Sequence, residues 1–336
     1  MSSVGNRRPA SSIGAASMLQ RAEMAVLAGD ANPDLAREIA RLCSASVIPV
    51  TIGAFADGET RIRIEGEVAD RDLYILQPTS APTNERLMTL ALLAEAARSA
   101  GAFRVTAVVP YFGYARQDVR KSAGEPHSAR LAARLLSLAG VDRVVVLELH
   151  SPALESAFDV PVIHVQADES MLPVLRGWEV ADLVIVAPDA GGLKRAQRYA
   201  AALGSPLAAV AKSRAGPDIA AALQVLGEVG GRTCLIVDDM ASTGGTIVGA
   251  AQALLQAGAK QVHALFVHAV MAPGALERIC AASVRRIVTT DSIRTSPDPR
   301  VQVVSIAPLL ARTLIRLAGA RNADVHDPGG QSPAGI

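Results

Sequence analysis

Nine short aliphatic runs, interleaved with longer segments of helical spacing, constrain the fold of this chain more than any other feature. The runs begin at Ala25 (AVLAG), Asp72 (DLYILQ), Arg104 (RVTAVVP), Asp142 (DRVVVLEL), Asp182 (DLVIVAP), Thr233 (TCLIVDD), His263 (HALFVHAV), Arg285 (RRIVTT) and Val301 (VQVVSIA). Their unbroken Val/Ile/Leu character suits strands covered on both faces, as in parallel sheets. Between them, Leu35, Ile39 and Leu42 form one stripe over Pro33 to Ser44, and Asn84 to Ala100 and His127 to Leu138 behave alike. Strand–helix alternation implies an α/β fold with right-handed crossovers. There are strands enough for two doubly wound, mostly parallel sheets, with a break near Val165 to Asp168. The expected domains are 24–166 and 167–320, between flexible tails at 1–23 and 321–336.

Composition removes several function classes. Of 336 residues, 50% are hydrophobic but only 3% aromatic, so a wholly disordered chain is excluded and the cores must be aliphatic. Lys plus Arg (33) nearly cancels Asp plus Glu (32), which does not indicate a nucleic-acid surface over the whole chain. Cys43, Cys234 and Cys280 are far apart with no CxxC, supporting neither a disulfide framework nor a zinc site and fitting a reducing cytoplasm. No apolar run reaches the ~18 residues of a membrane span, and the start has no apolar core of signal-peptide length. A soluble cytoplasmic protein is expected.

Open α/β sheets bind ligands at the carboxyl ends of their strands. The most informative end is the run from Cys234 to Val237. It is followed by Asp238, Asp239, Met240 and Ala241, then Ser242, Thr243, Gly244, Gly245 and Thr246, then a helical segment closed by Gly258. Small residues, hydroxyls and free amides at a helix start make an anion site suited to a phosphate. The carboxylates just before it can accept hydrogen bonds from a diol. A sugar phosphate satisfies both halves of the pattern. The plain alternative is a helix cap beside two solvated aspartates. Neither GxxxxGK[ST] nor GxGxxG is present.

The segment VDDMASTGGT resembles the ribose 5-phosphate loop shared by type I phosphoribosyltransferases and ribose-phosphate pyrophosphokinases (PRPP synthetases). FADGET (from Phe55), ILQPTSAPTNERLM (Ile75), VVPYFGYARQD (Val108), ELHSPALESAFDVPV (Glu148), APDAGGLKRA (Ala187), AKSR (Ala211) and TTDSI (Thr289) resemble blocks of the second family, in order. The resemblance runs from about Val26 to Ala318 and implies diphosphoryl transfer from Mg-ATP to the C1 hydroxyl of ribose 5-phosphate, giving PRPP and AMP.

Residue by residue, the resemblance implies the following roles. His150 and Asp189 bind the metal-ATP, with Mg²⁺ as the cofactor. Arg116 and Gln117 contact ATP. Phe55, Asp57, Gly58 and Glu59 contact the adenine and ribose of a neighbouring subunit's ATP, so a homo-oligomer is expected, dimer-based and up to a hexamer. Lys212 and Arg214 are the catalytic cations of a lid, Arg214 also meeting ribose 5-phosphate. Asp238, Asp239, Ser242, Thr243, Gly244, Gly245 and Thr246 bind ribose 5-phosphate. The chain departs from the family pattern at Glu148, where Asp is usual, at Ser242, often a third Asp, and at Ala157, Phe158 and Ser292. Two further readings stand beside the synthetase: a non-catalytic regulatory subunit, and a phosphoribosyltransferase that uses PRPP. His263 and His268, five apart in one strand, are expected on opposite faces and not at a common metal.

Overall fold

The computed structural model describes residues 22–178, 180–213 and 222–319. The first half runs β1 (Met24–Ala28), α1 (Pro33–Cys43), β2 (Ser46–Ile48), β3 (Val50–Ala54), β4 (Thr60–Ile64), β5 (Asp72–Leu76), α2 (Thr83–Ser99), β6 (Arg104–Val109), α3 (Ser128–Leu138), β7 (Arg143–Leu147) and β8 (Val162–Val165). The second runs α4 (Asp168–Arg176), β9 (Leu183–Ala187), α5 (Leu193–Leu203), β10 (Leu207–Ser213), β11 (Ala222–Leu226), β12 (Thr233–Ala241), α6 (Gly245–Gln256), β13 (Gln261–Ala269), α7 (Ala275–Ala281), β14 (Val284–Thr290), β15 (Val301–Val304) and α8 (Ala307–Gly319).

Two sheets result. The first has the order β2-β1-β5-β6-β7-β8 and is parallel throughout. The second has the order β11-β10-β9-β12-β13-β14-β15 and is parallel except where β10 meets β11. All nine aliphatic runs are strands of these sheets. They alternate faces with period two, as strand geometry requires. In the first sheet Val26, Tyr74, Leu76, Val108 and Val145 point to one core, while Leu27, Leu73, Ile75, Val105 and Val144 point to another.

The first of these cores is shared. It joins one face of each sheet through α1, α4, α5 and α8, so these helices form a single layer between the two sheets. The C-terminal helix α8 packs back on α1. Helices α2 and α3 cover the outer face of the first sheet, and α6 and α7 that of the second. Each Val or Leu fully buried in these layers contributes roughly 1.5–3 kcal/mol, and this fixes the sheets relative to each other. No helix among the described residues is long and apolar enough to cross a membrane.

Six strands, β2, β3, β4, β8, β10 and β11, are not among the nine aliphatic runs. The hairpin of β3 and β4 is half exposed and alternates (TRIRI), so it lacks an apolar run. Strands β2 and β8 span only 3 and 4 residues. β10 reads LAAVAKS, an Ala-rich string with helical propensity that sheet pairing overrides.

Candidate active site

The chain order of the second sheet reverses between β9 and β12, which are neighbours in register from Thr233 opposite Leu183 to Ile236 opposite Val186. A crevice outside the carboxyl ends of such strands is where open α/β sheets bind ligands. A cavity of about 790 Å³ opens there, lined by the ends of β7, β9 and β12 and by the start of α6.

β12 is buried along its whole length, which draws Asp238 and Asp239 out of water with it. The backbone then turns through Ser242 and Thr243 to Gly244, at φ +81°. A Cβ at Gly244 would lie 2.9 Å from Ile279 Cγ1, so this position requires glycine twice over. The loop is pinned from outside. Arg278 donates through Nε and Nη2 to the Thr243 carbonyl (3.1 and 2.9 Å), and the Met271 and Ala272 amides bond the carbonyls of Ala241 and Ser242. The N-cap Gly244 offers α6 no side chain, and the Gly245 amide meets the Thr243 hydroxyl at 3.4 Å. The next residues of the first turn of α6, Thr246 and Ile247, also line the cavity, and helix-start amides of this kind can donate to an anion.

Opposite this loop, His150 Nδ1 lies 2.7 Å from Asp239 Oδ2. That hydrogen bond is the main reason the His150 imidazolium is favoured and its pKa raised, against the opposing effect of burial. Arg195 Nη1 sits 3.8 Å from one oxygen of Asp238 and 3.8 Å from one of Asp239. The two carboxylates are pushed apart in acidity. Burial, then the adjacent Asp239 charge, drives Asp238 upward. Burial acts in the same sense on Asp239, but the His150 hydrogen bond and the Arg195 charge outweigh it and hold Asp239 down. Asp189, two residues beyond β9, accepts from the Gly192 amide through Oδ1 (3.0 Å).

The cavity lining thus brings together Arg116, His150, Asp189, Asp238, Asp239 and the run Ser242 to Thr246. Other expected residues lie elsewhere. Phe55, Asp57, Gly58 and Glu59 form the exposed tip of the β3–β4 hairpin and do not line it. The tip is ordered by its own contacts: the Glu59 amide bonds Asp57 Oδ1 (3.1 Å), and Arg61 stacks over the Phe55 ring at 5.7 Å. Gln117 accepts from the Ser128 hydroxyl at the start of α3 and is also outside the lining. Lys212 is the penultimate residue of β10, just past Val210 and Ala211 of the cavity wall. Arg214 lies outside the described residues.

Among the described residues no three His, Cys, Asp or Glu side chains gather as a self-sufficient metal cage. The donors present suit a different ion. His150 Nδ1 is occupied by Asp239, leaving Nε2, and Asp189 keeps one oxygen free. Two such donors beside a candidate anion loop fit magnesium, which keeps its waters and takes one or two protein ligands plus phosphate oxygens.

The sequence reading misses Arg195, Arg278 and the part played by His268. Arg195 sits on the buried stripe of α5 with Ala196 and Tyr199, Arg198 is half-buried beside it, and an arginine on an apolar stripe was the available signal. His268 donates from Nε2 to the Glu148 carbonyl (3.1 Å) and accepts at Nδ1 from the Ser292 hydroxyl (2.9 Å). His263 lies on the opposite face, edge-on to Trp178, so the two histidines share no site.

Comparison with known proteins gives the same picture. Residues 24–140 match the N-terminal domain of ribose phosphate pyrophosphokinase, and residues 176–302 match the phosphoribosyl transferase domain. A ribose-phosphate pyrophosphokinase of Burkholderia pseudomallei is 41% identical over 297 residues, 87% of this chain and 93% of that protein. The Bacillus subtilis protein of that name is 38% identical over 291 residues, 86% of this chain and 92% of the relative. The crystal structure of phosphoribosylpyrophosphate synthetase from Mycobacterium smegmatis superposes with a TM-score of 0.83 at 36% identity, covering 89% of this chain and 99% of that one. With its two sheets, its switch-point crevice and relatives of this similarity along most of its length, the chain belongs to the ribose-phosphate pyrophosphokinase family.

Proposed function

We propose that the chain transfers the diphosphoryl group of ATP to the C1 hydroxyl of ribose 5-phosphate. The C1 oxygen forms a bond to the β-phosphorus, the bond from that phosphorus to the α,β-bridging oxygen breaks, and AMP leaves. The observation that carries this reading is the single cavity in which an anion loop, a buried aspartate pair and a His–Asp pair converge.

The 5-phosphate sits on the amides and hydroxyls of Ser242 to Thr246, and Asp238 and Asp239 accept from the ring hydroxyls. His150 Nε2 and the free oxygen of Asp189 would hold magnesium, which supplies charge neutralisation on the phosphates. Arg116 meets the triphosphate from the first sheet. Lys212, with Arg214, stabilises charge that builds as the phosphorus is transferred. Gln117 and the hairpin residues Phe55, Asp57, Gly58 and Glu59 read the nucleotide, the hairpin reaching a neighbouring copy in a dimer-based homo-oligomer. The three cysteines are free thiols, in keeping with a cytoplasmic enzyme.

The test is AMP formation from ATP. It should require both ribose 5-phosphate and Mg²⁺, and Lys212→Ala should lower kcat with little change in ribose 5-phosphate affinity. AMP that appears only after an active synthetase is added would make the chain a regulatory subunit. PRPP consumed with a nucleobase and without ATP would make it a phosphoribosyltransferase.

A further inference from the structure

We propose that Glu148 and Arg195 form a positioning pair for the acceptor sugar, in which Glu148 fixes the Arg195 guanidinium against Asp238 and Asp239. The proposal rests on the ribose 5-phosphate reading above and adds two residues to it.

Two adjacent buried carboxylates repel each other and would each be costly alone. Among the described residues, Arg195 is the one guanidinium within ion-pair range of both. Its orientation is set from behind. Nε donates to Glu148 Oε1 at 2.8 Å, so the planar fork has one freedom left and Nη1 turns toward the aspartates. The side chain is only 9% exposed, so it is not available as a mobile surface cation.

Glu148 is over-determined in turn. Arg198 Nη2 shares its Oε1 at 3.1 Å, and the Ala167 amide bonds Oε2 at 3.2 Å. Its φ of +41° is a left-handed conformation that a non-glycine residue adopts only when held. Part of the hold comes from its own sheet, where the Glu148 amide bonds the Val165 carbonyl (2.8 Å), and part from the other. His268 of β13, oriented by Ser292 beyond β14, grips the Glu148 carbonyl. Residues of both halves therefore converge on the cation that faces the sugar-binding carboxylates. Two residues on, His150 completes the same arrangement at Asp239. The geometry points to control of the sugar end. Arg195 meets Asp238 and Asp239, and the nucleotide contacts of the hairpin lie elsewhere.

The experiment compares Arg195→Lys, Glu148→Gln, Glu148→Asp and Arg198→Gln by steady-state kinetics, thermal melting and calorimetric titration with ribose 5-phosphate. Lys keeps the charge but loses the fork. Gln keeps the shape but loses the charge. Both should raise the KM for ribose 5-phosphate by about tenfold or more and leave the KM for ATP within about twofold. Glu148→Asp, which keeps the charge with about 1.5 Å less reach, should recover part of the loss. Arg198 bonds Glu148 and Asp168 but neither site aspartate, so Arg198→Gln should lower Tm and raise the ribose 5-phosphate KM by less than Arg195→Lys does. Should Glu148→Gln fail to fold, Arg195→Lys against Arg198→Gln decides the matter. Unchanged ribose 5-phosphate affinity in Arg195→Lys, or an equal rise in Arg198→Gln, would overturn the proposal. Calorimetry separates this from the proposed reaction: a chain that binds the sugar but makes no AMP refutes the reaction alone, and one that binds no sugar refutes both.

Discussion

The residues proposed to bind the sugar and those proposed to bind the nucleotide are set differently in the fold. The proposed sugar site is held by buried groups: Asp238 and Asp239 on a fully buried strand, Arg195 behind them, and a loop clamped by Arg278. Among the residues proposed for the nucleotide, Arg116, Gln117 and the whole hairpin tip are exposed, and Phe55 shows half its surface to solvent at 51%. The proposed sugar site is thus preorganised within one chain. The proposed nucleotide site has its chemistry on display but not assembled, and covering an exposed aromatic takes another surface. Binding to the first should cost little ordering, while binding to the second should depend on association.

The largest effect expected is at Asp239. Asp239→Ala removes the partner of both His150 and Arg195, and stripping one member from a buried ion pair costs about 3–5 kcal/mol. Thermal melting should show a large fall in Tm, and calorimetry should show ribose 5-phosphate affinity down by about a hundredfold. A stable variant that binds the sugar like the parent would mean the carboxylate pair does not contact it. Gly244→Ala comes next. It places a Cβ 2.9 Å from Ile279 at φ +81°, so the loop must move. Sugar KM should rise about tenfold, with a stability loss of about 1–3 kcal/mol. Unchanged kinetics would show that the loop is not the phosphate site.

Phe55→Ala should do the reverse. The ring packs on Arg61 and little else in its own chain, so Tm should hold. The KM for ATP should rise about three- to tenfold, as for loss of one stacked base, with the sugar KM unchanged. Light scattering on the active enzyme sharpens the contrast. A fully active monomer would remove the neighbouring copy from the proposed nucleotide site.

The sequence made the Asp238–Thr246 loop legible as a candidate site and the rest less so, for a physical reason. Contiguous residues build the loop and its carboxylates, so one aliphatic strand, two aspartates and a Gly-rich turn state the site in one reading. Both sheets were equally open to reading, because buried parallel strands have little freedom of composition. What stayed hidden depends on contacts between distant segments: Arg195 on Glu148, 47 residues apart, and His268 on Glu148, 120 apart. Glu148 drew notice as a departure at the edge of a motif, but nothing local shows that its carbonyl and its carboxylate face different partners. The shared helical layer was hidden likewise, since the amphipathic pattern of α1 does not say which sheet it will cover.

The smallest effect lies away from the crevice and tests whether the second sheet itself stays rigid. His263 Nδ1 accepts from the Arg286 amide at 3.1 Å, so a proton there would displace an existing hydrogen bond. Burial, with Arg286 and Arg285 nearby, lowers its pKa to about 4. An unfolded histidine titrates near 6.5. Between these values the unfolded chain binds a proton that the folded chain refuses, so this residue's contribution to stability is full above about pH 6.5 and falls as pH drops toward about 4. Trp178, the chain's one tryptophan, meets the His263 ring edge-on at 5.2 Å and reports the change. Its fluorescence should titrate near pH 4, and His263→Gln should flatten both that transition and the acid side of the Tm profile. A midpoint near 6.5 in the native protein would mean water reaches this ring, and that the scaffold beneath the proposed sugar site is looser than its burial implies.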